Sequence, residues 1–464
     1  MWIKSWAGLD AANVPDSGLV RRAVILEASM KAGSASRVIN CQIGDDLCGQ
    51  LHRRICDRIR DDLEANLLYL TDGKEQVLLA SLDLACSDTP DARAIGAAIE
   101  AATGVPARNV ILCDTHTHTG PNTFSPLHDV PVNEAYVGRL RLALVDAARE
   151  AVASARPARI GWGGGTARIG YNRRMCWADG THTMYGDATR PDFTGLEGPD
   201  DPSHAVLFAV DEDGRHIAVA HHNTCHATCV EGATFASADF PGEARQRLRE
   251  SLGDNVPVLY LQGASGDVSP WNMLRAPPQY DGEQRLREVG AFLAQETLRL
   301  MREARLEASP VLRHLFEDVP LAVRIPTPEQ VAKARQAQAD GEGKVDRWNY
   351  VLLVDGLLRL YEIFKDHPVD ALAVHALRVG DFALATNPCE LYCQYGLDIK
   401  RRSPAAVTAV AELADGVSGY CPTIPAIMGG GYSSDPTYWC RLEPYAGYKL
   451  VEVSARLVNR LWKA

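Results

Sequence analysis

Two histidines two residues apart, His116 and His118, stand in the segment Asp114-Thr-His-Thr-His-Thr-Gly-Pro121, directly after the apolar run Asn109–Cys113. On an extended backbone, side chains two apart project to one face. Thr-Gly-Pro then breaks the strand and leaves that face open at its end. Two imidazoles converging there can hold a divalent metal, or one can bind the metal while the other handles protons. A pair of hydrogen-bonded structural histidines satisfies the same spacing. A second cluster, His221-His-Asn-Thr-Cys-His226, follows the apolar run His216–Ala220. Three imidazoles in six residues are costly to bury without partners. His221 and His222 point to opposite faces of an extended chain, so at most one of them joins a shared site. His226 lies beyond the strand, ahead of a loop that ends at Asp239-Phe-Pro-Gly242.

Three further segments carry groups that can act in chemistry. Gln262-Gly-Ala-Ser-Gly-Asp-Val-Ser-Pro-Trp271 sets Ser265, Asp267 and Ser269 on a loop of small residues that lets backbone amides approach a ligand closely. It is not a nucleophile elbow, because no Ser is centred in G-x-S-x-G, and it lacks the Gly-Lys-Ser/Thr ending of a phosphate-cradling loop. Asn387-Pro-Cys-Glu390 follows the apolar run Phe382–Thr386 and opens a helix, so a carboxylate stands at a strand end. Gly419-Tyr-Cys-Pro-Thr423 and Gly429-Gly-Gly-Tyr432 place Tyr420 and Tyr432 in Gly-rich loops, where tyrosine ordinarily packs or covers a surface.

The elements that must position these groups alternate between short apolar strands and amphipathic helices. Strands are expected at Gln76–Ala85, Asn109–Cys113 and Val258–Gln262, with hairpins His204–Val210/His216–Ala220 and Ala371–Val379/Phe382–Thr386. Helices are expected at Asp91–Ala102, Val137–Ala153, Asp239–Leu252, Glu283–Ala304 and Tyr448–Trp462. The pattern predicts an α/β protein with mixed β-sheets covered by helices. Residues 1–29 read as an N-terminal extension, with Met30 as an alternative start, and residues 30–464 as one catalytic domain. The polar stretch 326–346 is expected to be a helical or surface insertion.

Composition narrows the classes of function. The 464 residues carry a net charge of −11, from 48 Lys plus Arg against 59 Asp plus Glu, and this disfavours nucleic acid and anionic membranes as partners. No apolar stretch reaches the length of a membrane span, about 18 residues. The N-terminus lacks the apolar core of a secretory signal, so a cytoplasmic location is expected. The cysteines show no zinc-finger CxxC pair and read as reduced core thiols.

Taken in order, the motifs resemble the catalytic domain of the neutral ceramidase family of zinc amidohydrolases. The family's T-H-T-H-S-G-P is similar to Thr115–Pro121, with Thr119 in place of Ser. Its G-D-V-S-P stands unchanged at Gly266–Pro270, and its P-G-E is similar to Pro388–Glu390, with Cys389 replacing Gly. Asn172-Arg173, Ser237–Gly242, Gly419–Thr423 and the Gly-Gly-Tyr ending at Tyr432 extend the resemblance over roughly residues 31–432. The resemblance implies one zinc per chain held by His116, His226, Glu390 and Tyr420, a set that suits zinc chemically. It implies that His118 is a proton donor or oxyanion partner, that Arg173 and Tyr432 stabilise the oxyanion, and that Ser269 contacts the amide or the attacking water. Asp267 would orient a ligand from behind. The implied reaction is attack of zinc-activated water on an amide, with a Ser269 acyl-enzyme as the rival route.

Three departures bear on the substrate. No signal sequence is expected from the N-terminus, the family's C-terminal immunoglobulin-like domain is not expected in the roughly 30 residues past Tyr432, and the segment after Pro121 is polar and lacks the family's Gly-Gly continuation. With the acidic balance, these predict a soluble small-molecule N-acyl substrate and no membrane insertion. A zinc-dependent ester or lactone hydrolase and a non-catalytic zinc-binding protein are the alternatives.

Overall fold

The computed structural model describes residues 30–275 and 281–463, and the extension expected over residues 1–29 lies outside the described residues. Lys31–Val38 (β1), Glu64–Thr71 (β2), Gln76–Leu82 (β3), Val110–Asp114 (β4), Arg156–Thr166 (β5), Ser203–Asp211 (β6), His216–Asn223 (β7) and Val258–Gln262 (β8) form one mixed sheet in the order β8-β7-β6-β5-β1-β2-β3-β4. Its inner pairs are antiparallel, while β4 runs parallel to β3 and β8 parallel to β7. The sheet curls until its far strands meet: Ser81 Oγ donates to the Tyr260 carbonyl at 2.8 Å and accepts from the Tyr260 N–H at 3.2 Å. A second sheet, Leu312–Ala322 (β9), Val369–Val379 (β10), Phe382–Thr386 (β11) and Val407–Ala411 (β12), pairs in that order, with β12 parallel to β11.

Period-two burial sets the layers. Leu79, Ile111, Leu207 and Leu259 of the first sheet pack against Leu377, Phe382 and Leu384 of the second, as alternating side chains must when two sheets meet face to face. The opposite face of the first sheet, through Leu67, Leu78 and Leu112, is covered by Thr89–Thr103 (α1) and Glu134–Ala153 (α2). Val206 and Val258 of that sheet meet Asp239–Leu252 (α3) and Gly282–Glu303 (α4). Val374, Ala383 and Ala385 of the second sheet lie under Leu450, Val451 and Leu457 of Ala446–Trp462. Helix termini follow local chemistry: the Asp88 carboxylate accepts from the Thr89 N–H, and α1 ends at Gly104 in the left-handed region, φ 78°.

The expected α/β class with mixed, helix-covered sheets is what the chain adopts. Asp239–Leu252, Val258–Gln262 and Phe382–Thr386 fall where the sequence puts them. Gln76–Ala85 ends earlier, at Leu82. Glu390 does not open a helix. It sits in a short strand, Cys389–Leu391, ahead of the helix Cys393–Arg401. Within the polar stretch 326–346, Pro328–Asp340 is a helix started by a Thr327/Gln330 capping box, and it packs Val331 and Ala334 on Leu357 and Leu358 of the helical run that follows. Among the described residues no helix is long and apolar enough to cross a membrane.

Candidate metal centre

Loops leaving the C-terminal ends of β4, β7, β8, β11 and β12 converge, because the second sheet is tied to the first at these ends. Gly263 bridges Ala411, Cys113 bridges Ala414, and the Glu412 N–H donates to the Gln262 carbonyl at 2.9 Å. Carboxyl ends of strands in α/β sheets are the usual place for a ligand.

His116 does not continue β4. Its φ of 64° puts it in the left-handed region, so a sharp turn, not strand alternation, aims it inward. Such a conformation is uncommon for a residue with a Cβ and is kept only where the surroundings enforce it. Here the His116 N–H donates to the Leu84 carbonyl at 2.9 Å, and Thr117 Oγ1 donates to the Ser237 carbonyl at 2.6 Å. Nδ1 of His116 lies 2.6 Å from the Ala85 carbonyl, and Nδ1 of His226 lies 2.8 Å from the Ser265 carbonyl. With both Nδ1 protons donated outward, both Nε2 atoms carry lone pairs, and they face one another at 2.9 Å. His118 Nε2 approaches His116 Nε2 at 3.2 Å. Glu390 Oε2 lies 3.5 Å from His116 Nε2 and 3.3 Å from His226 Nε2, buried and without a hydrogen-bond partner.

Register explains why Glu390 arrives with Tyr420. Cys389–Leu391 pairs in parallel with Gly419–Cys421, which sets Glu390 opposite Tyr420. The Tyr432 ring stacks edge-on to Tyr420, with centroids 5.6 Å apart. Arg173 Nη2 donates to the Gly266 carbonyl at 3.0 Å and lies 2.9 Å from His226 Nε2 and 3.4 Å from the Tyr420 hydroxyl, while Nη1 donates to the Tyr185 hydroxyl at 2.9 Å. The next residue, Arg174, fixes the Tyr432 loop by donating to the Gly430 carbonyl at 2.9 Å and pairing with Glu197 at 2.8 Å.

Burial is the largest influence on the histidines: it holds His118 and His226 well below the usual imidazole range, with neighbouring imidazoles and Arg173 adding to it. Burial beside Glu390 pushes the Tyr420 phenol up. The donor set is imidazole nitrogens, a carboxylate and a phenol. Zinc–nitrogen bonds of about 2.0–2.1 Å at tetrahedral angles separate donors by roughly 3.3 Å, close to the separations found here. His116, His118 and His226 form a cluster able to hold a metal ion.

No family model matches the chain. Neutral ceramidase of Pseudomonas aeruginosa is 27% identical over 194 residues, which are 39% of this chain and 28% of that relative. The crystal structure of neutral ceramidase from Pseudomonas aeruginosa matches with a TM-score of 0.73, and a ceramidase complexed with C2 matches with 0.72. Each is 18% identical and covers 94% of this chain and 75% of the other. The chain has the neutral ceramidase fold. The resemblance drawn from the motifs holds across it.

In this ceramidase-like fold, seven of the eight residues expected at the site come together: His116, His118, His226, Glu390, Tyr420, Arg173 and Tyr432. Ser269 stands apart. Its hydroxyl shares 3.4 Å contacts with the Trp271 carbonyl and N–H, and among the described residues no imidazole or carboxylate bonds it. Asp267 lies behind the site, accepting from the Cys393 N–H at 2.7 Å and from Asn172 Nδ2 at 2.8 Å, and burial lifts its carboxyl to about 7. His221 and His222 point away from the cluster. His221 contacts Thr297 Oγ1 at 3.4 Å, and His222 Nε2 lies 3.0 Å from the Val410 carbonyl. Sequence reasoning missed Glu412, which accepts from Ser265 Oγ at 2.7 Å and from the Leu391 N–H at 2.8 Å, bracing the partners of both His226 and Glu390. Its only signal was an acid directly after a strand, the signal that exposed Glu390. Tyr185 and Glu231 carried none. His118, Arg173, Tyr420 and Tyr432 line a cavity of about 1080 Å³ whose walls include Leu51, Met184, Trp348 and Leu352 along with Gln50, His52, Gln330 and Lys333. The 326–346 stretch therefore contributes Gln330 and Lys333 to the cavity wall.

Proposed function

We propose that this chain is a zinc-dependent amidohydrolase that cleaves the carbon–nitrogen bond of a soluble N-acyl compound in the cytoplasm. The residues that would hold the zinc, one per chain, are His116, His226, Glu390 and Tyr420. The observation that carries this reading is the convergence of three acceptor atoms, two bare Nε2 and Glu390 Oε2, within 3.5 Å of one another in a buried site. Lone pairs facing each other at that separation repel, and a cation between them relieves it. Zinc at such a point polarises a carbonyl and lowers the pKa of a water toward about 7.

The chain's own residues account for the remaining steps. Arg173, held by Tyr185 and Gly266, and Tyr432 donate to the oxygen on which charge develops during attack on the amide. His118, with Nε2 bare toward the centre, takes the proton that the attacking water gives up and passes it to the amine nitrogen before the amine departs. Ser269 is not the nucleophile in this reading, since among the described residues no base bonds its hydroxyl. That the relatives are named ceramidases favours an amide over an ester. A wall that sets Leu51, Met184, Trp348 and Leu352 beside Gln50, His52, Gln330 and Lys333 favours a substrate with both an apolar and a polar part.

Elemental analysis of the purified protein and of His226→Ala tests the centre. The expected result is about one zinc per chain, lost in the variant; a wild type that stays metal-free after zinc addition sinks the reading. Matched amide and ester substrates, assayed for released amine and alcohol, test the bond.

A further inference from the structure

Each imidazole of the cluster that turns a bare Nε2 inward must keep its proton on Nδ1 and find an acceptor outside. His116 has the Ala85 carbonyl and His226 the Ser265 carbonyl. His118 does not: its Nδ1 is buried and has no hydrogen-bond partner. A buried N–H left in that state costs the full desolvation of the group. The acidic atom facing it is Glu231 Oε2, at 3.7 Å. This is beyond a hydrogen bond, but it is within reach of a rotation of a side chain that is one-third exposed.

The surroundings fix everything about His118 except the sense of its ring. Arg54 Nη2 donates to the His118 carbonyl at 2.6 Å and Nη1 to the Ala233 carbonyl at 2.8 Å. Gly49, at φ 101°, lies against the ring's base: a Cβ there would come within 2.6–2.7 Å of His118 Cα, Cβ and Cγ. The neighbouring Gln50 donates from Nε2 to Glu231 Oε2 at 3.0 Å, so the hairpin that clamps His118 also steadies the carboxylate beside it. Glu231 makes no ion pair with Arg or Lys among the described residues, and it lines the same cavity as His118.

We propose that Glu231 is a positioning residue: it accepts the His118 Nδ1 proton and thereby holds the ring with Nε2 bare and turned to the centre. The proposal rests on the amidohydrolase reading for what His118 then does, but not for its tautomer. A carboxylate behind a site imidazole fixes tautomer and ring orientation together, and loss of such a partner typically costs roughly 10–100-fold in activity or metal affinity.

The test uses the full chain with ¹⁵N-labelled histidine, in wild type, Glu231→Gln and Glu231→Leu. Long-range ¹⁵N–¹H correlation spectra report which ring nitrogen of His118 carries the proton, with His118→Gln providing the assignment. The expected result is Nδ1–H in wild type, retained in Glu231→Gln, whose side-chain carbonyl still accepts, and lost or mixed in Glu231→Leu. The kcat of Glu231→Leu on an N-acyl amide should fall roughly 10–100-fold with KM little changed. A wild-type spectrum with the proton on Nε2 overturns the proposal even if Glu231→Leu fails to fold. A Glu231→Leu variant with the wild-type tautomer also overturns it, as does a raised KM at unchanged kcat, which marks a substrate contact. Metal content, measured on the same samples, judges the amidohydrolase reading separately: a metal-free wild type sinks that reading while the tautomer still decides the role of Glu231.

Discussion

Arg173 and Tyr432 reach the centre without belonging to the donor set that binds metal, so their loss should separate chemistry from binding. Removing one preorganised donor to a developing oxyanion costs about 10²–10³ in rate. Tyr432→Phe is expected to lower kcat by that factor while elemental analysis still finds the metal; loss of metal in the variant would move Tyr432 from oxyanion donor to ligand. Glu412 makes the complementary case. It is fully buried, and burial beside Glu390 lifts its carboxyl well above the usual range while it accepts from Ser265 and Leu391. Glu412→Gln preserves an acceptor and should keep metal affinity near wild type. Glu412→Ala, which strips the brace from the Ser265 that meets His226, should weaken affinity roughly 10–100-fold in a chelator competition. Equal affinities for the two variants would mean that Glu412 does not support the centre.

At the scale of elements, the site depends on a register that no spacing in the sequence displays. Glu390 and Tyr420 are thirty residues apart and meet because two three-residue strands run parallel. Gly266 guards that contact: a Cβ there would lie 2.4 Å from the Glu390 carbonyl oxygen. Gly266→Ala must push the Glu390 strand away, and overpacking of this kind costs about 1–3 kcal/mol. Both a lower midpoint in urea and weakened metal binding are expected, and wild-type affinity in the variant would show that the strand tolerates the shift. The same elements explain what could be read from the chain beforehand. His116, His226 and Glu390 each follow an apolar run, so the hydrophobic pattern marks them. Their convergence could not be derived from it, because His116 is aimed by a left-handed turn and His226 by a loop after β7. Motif resemblance supplied Arg173, Tyr420 and Tyr432. Glu231 and Tyr185 lie in stretches with neither periodicity nor motif, and only tertiary packing reveals them. The strands β1, β5, β9 and β12 went unread because Gly, Ala and charged residues break their apolar pattern, and pairing with neighbours rather than propensity makes them strands.

Across the whole molecule, packing two sheets between helices buries histidines and aspartates outside the metal-binding set, and these set the acid side of its stability. Burial is the first cause in each case. It lowers His204 to about 4 and His222 and His314 to about 3, with Lys400 adding at His222 and with His375 and Arg108 adding at His314. It raises Asp83 and Asp239 to about 6, with Arg245 pulling Asp83 back down. The two groups have opposite signs. A histidine neutral in the fold and ordinary when unfolded supplies stability that is whole above about 6.5 and is lost as pH falls toward its folded value. A buried carboxyl with a raised value favours the folded state increasingly as pH falls below that value. In wild type the two trends therefore oppose each other between pH 6.5 and 5, and a flat overall profile there would say nothing about either. Removing one histidine exposes its share. His314, in contact with His375 Nδ1 at 2.9 Å, is the simplest to remove. His314→Gln should gain on wild type by roughly 2 kcal/mol between pH 7.5 and 5.0, because only the wild-type unfolded chain takes up that proton. Urea unfolding at both pH values measures the difference. A gap between variant and wild type that does not change with pH would mean that His314 takes up its proton in the folded protein as readily as in the unfolded chain.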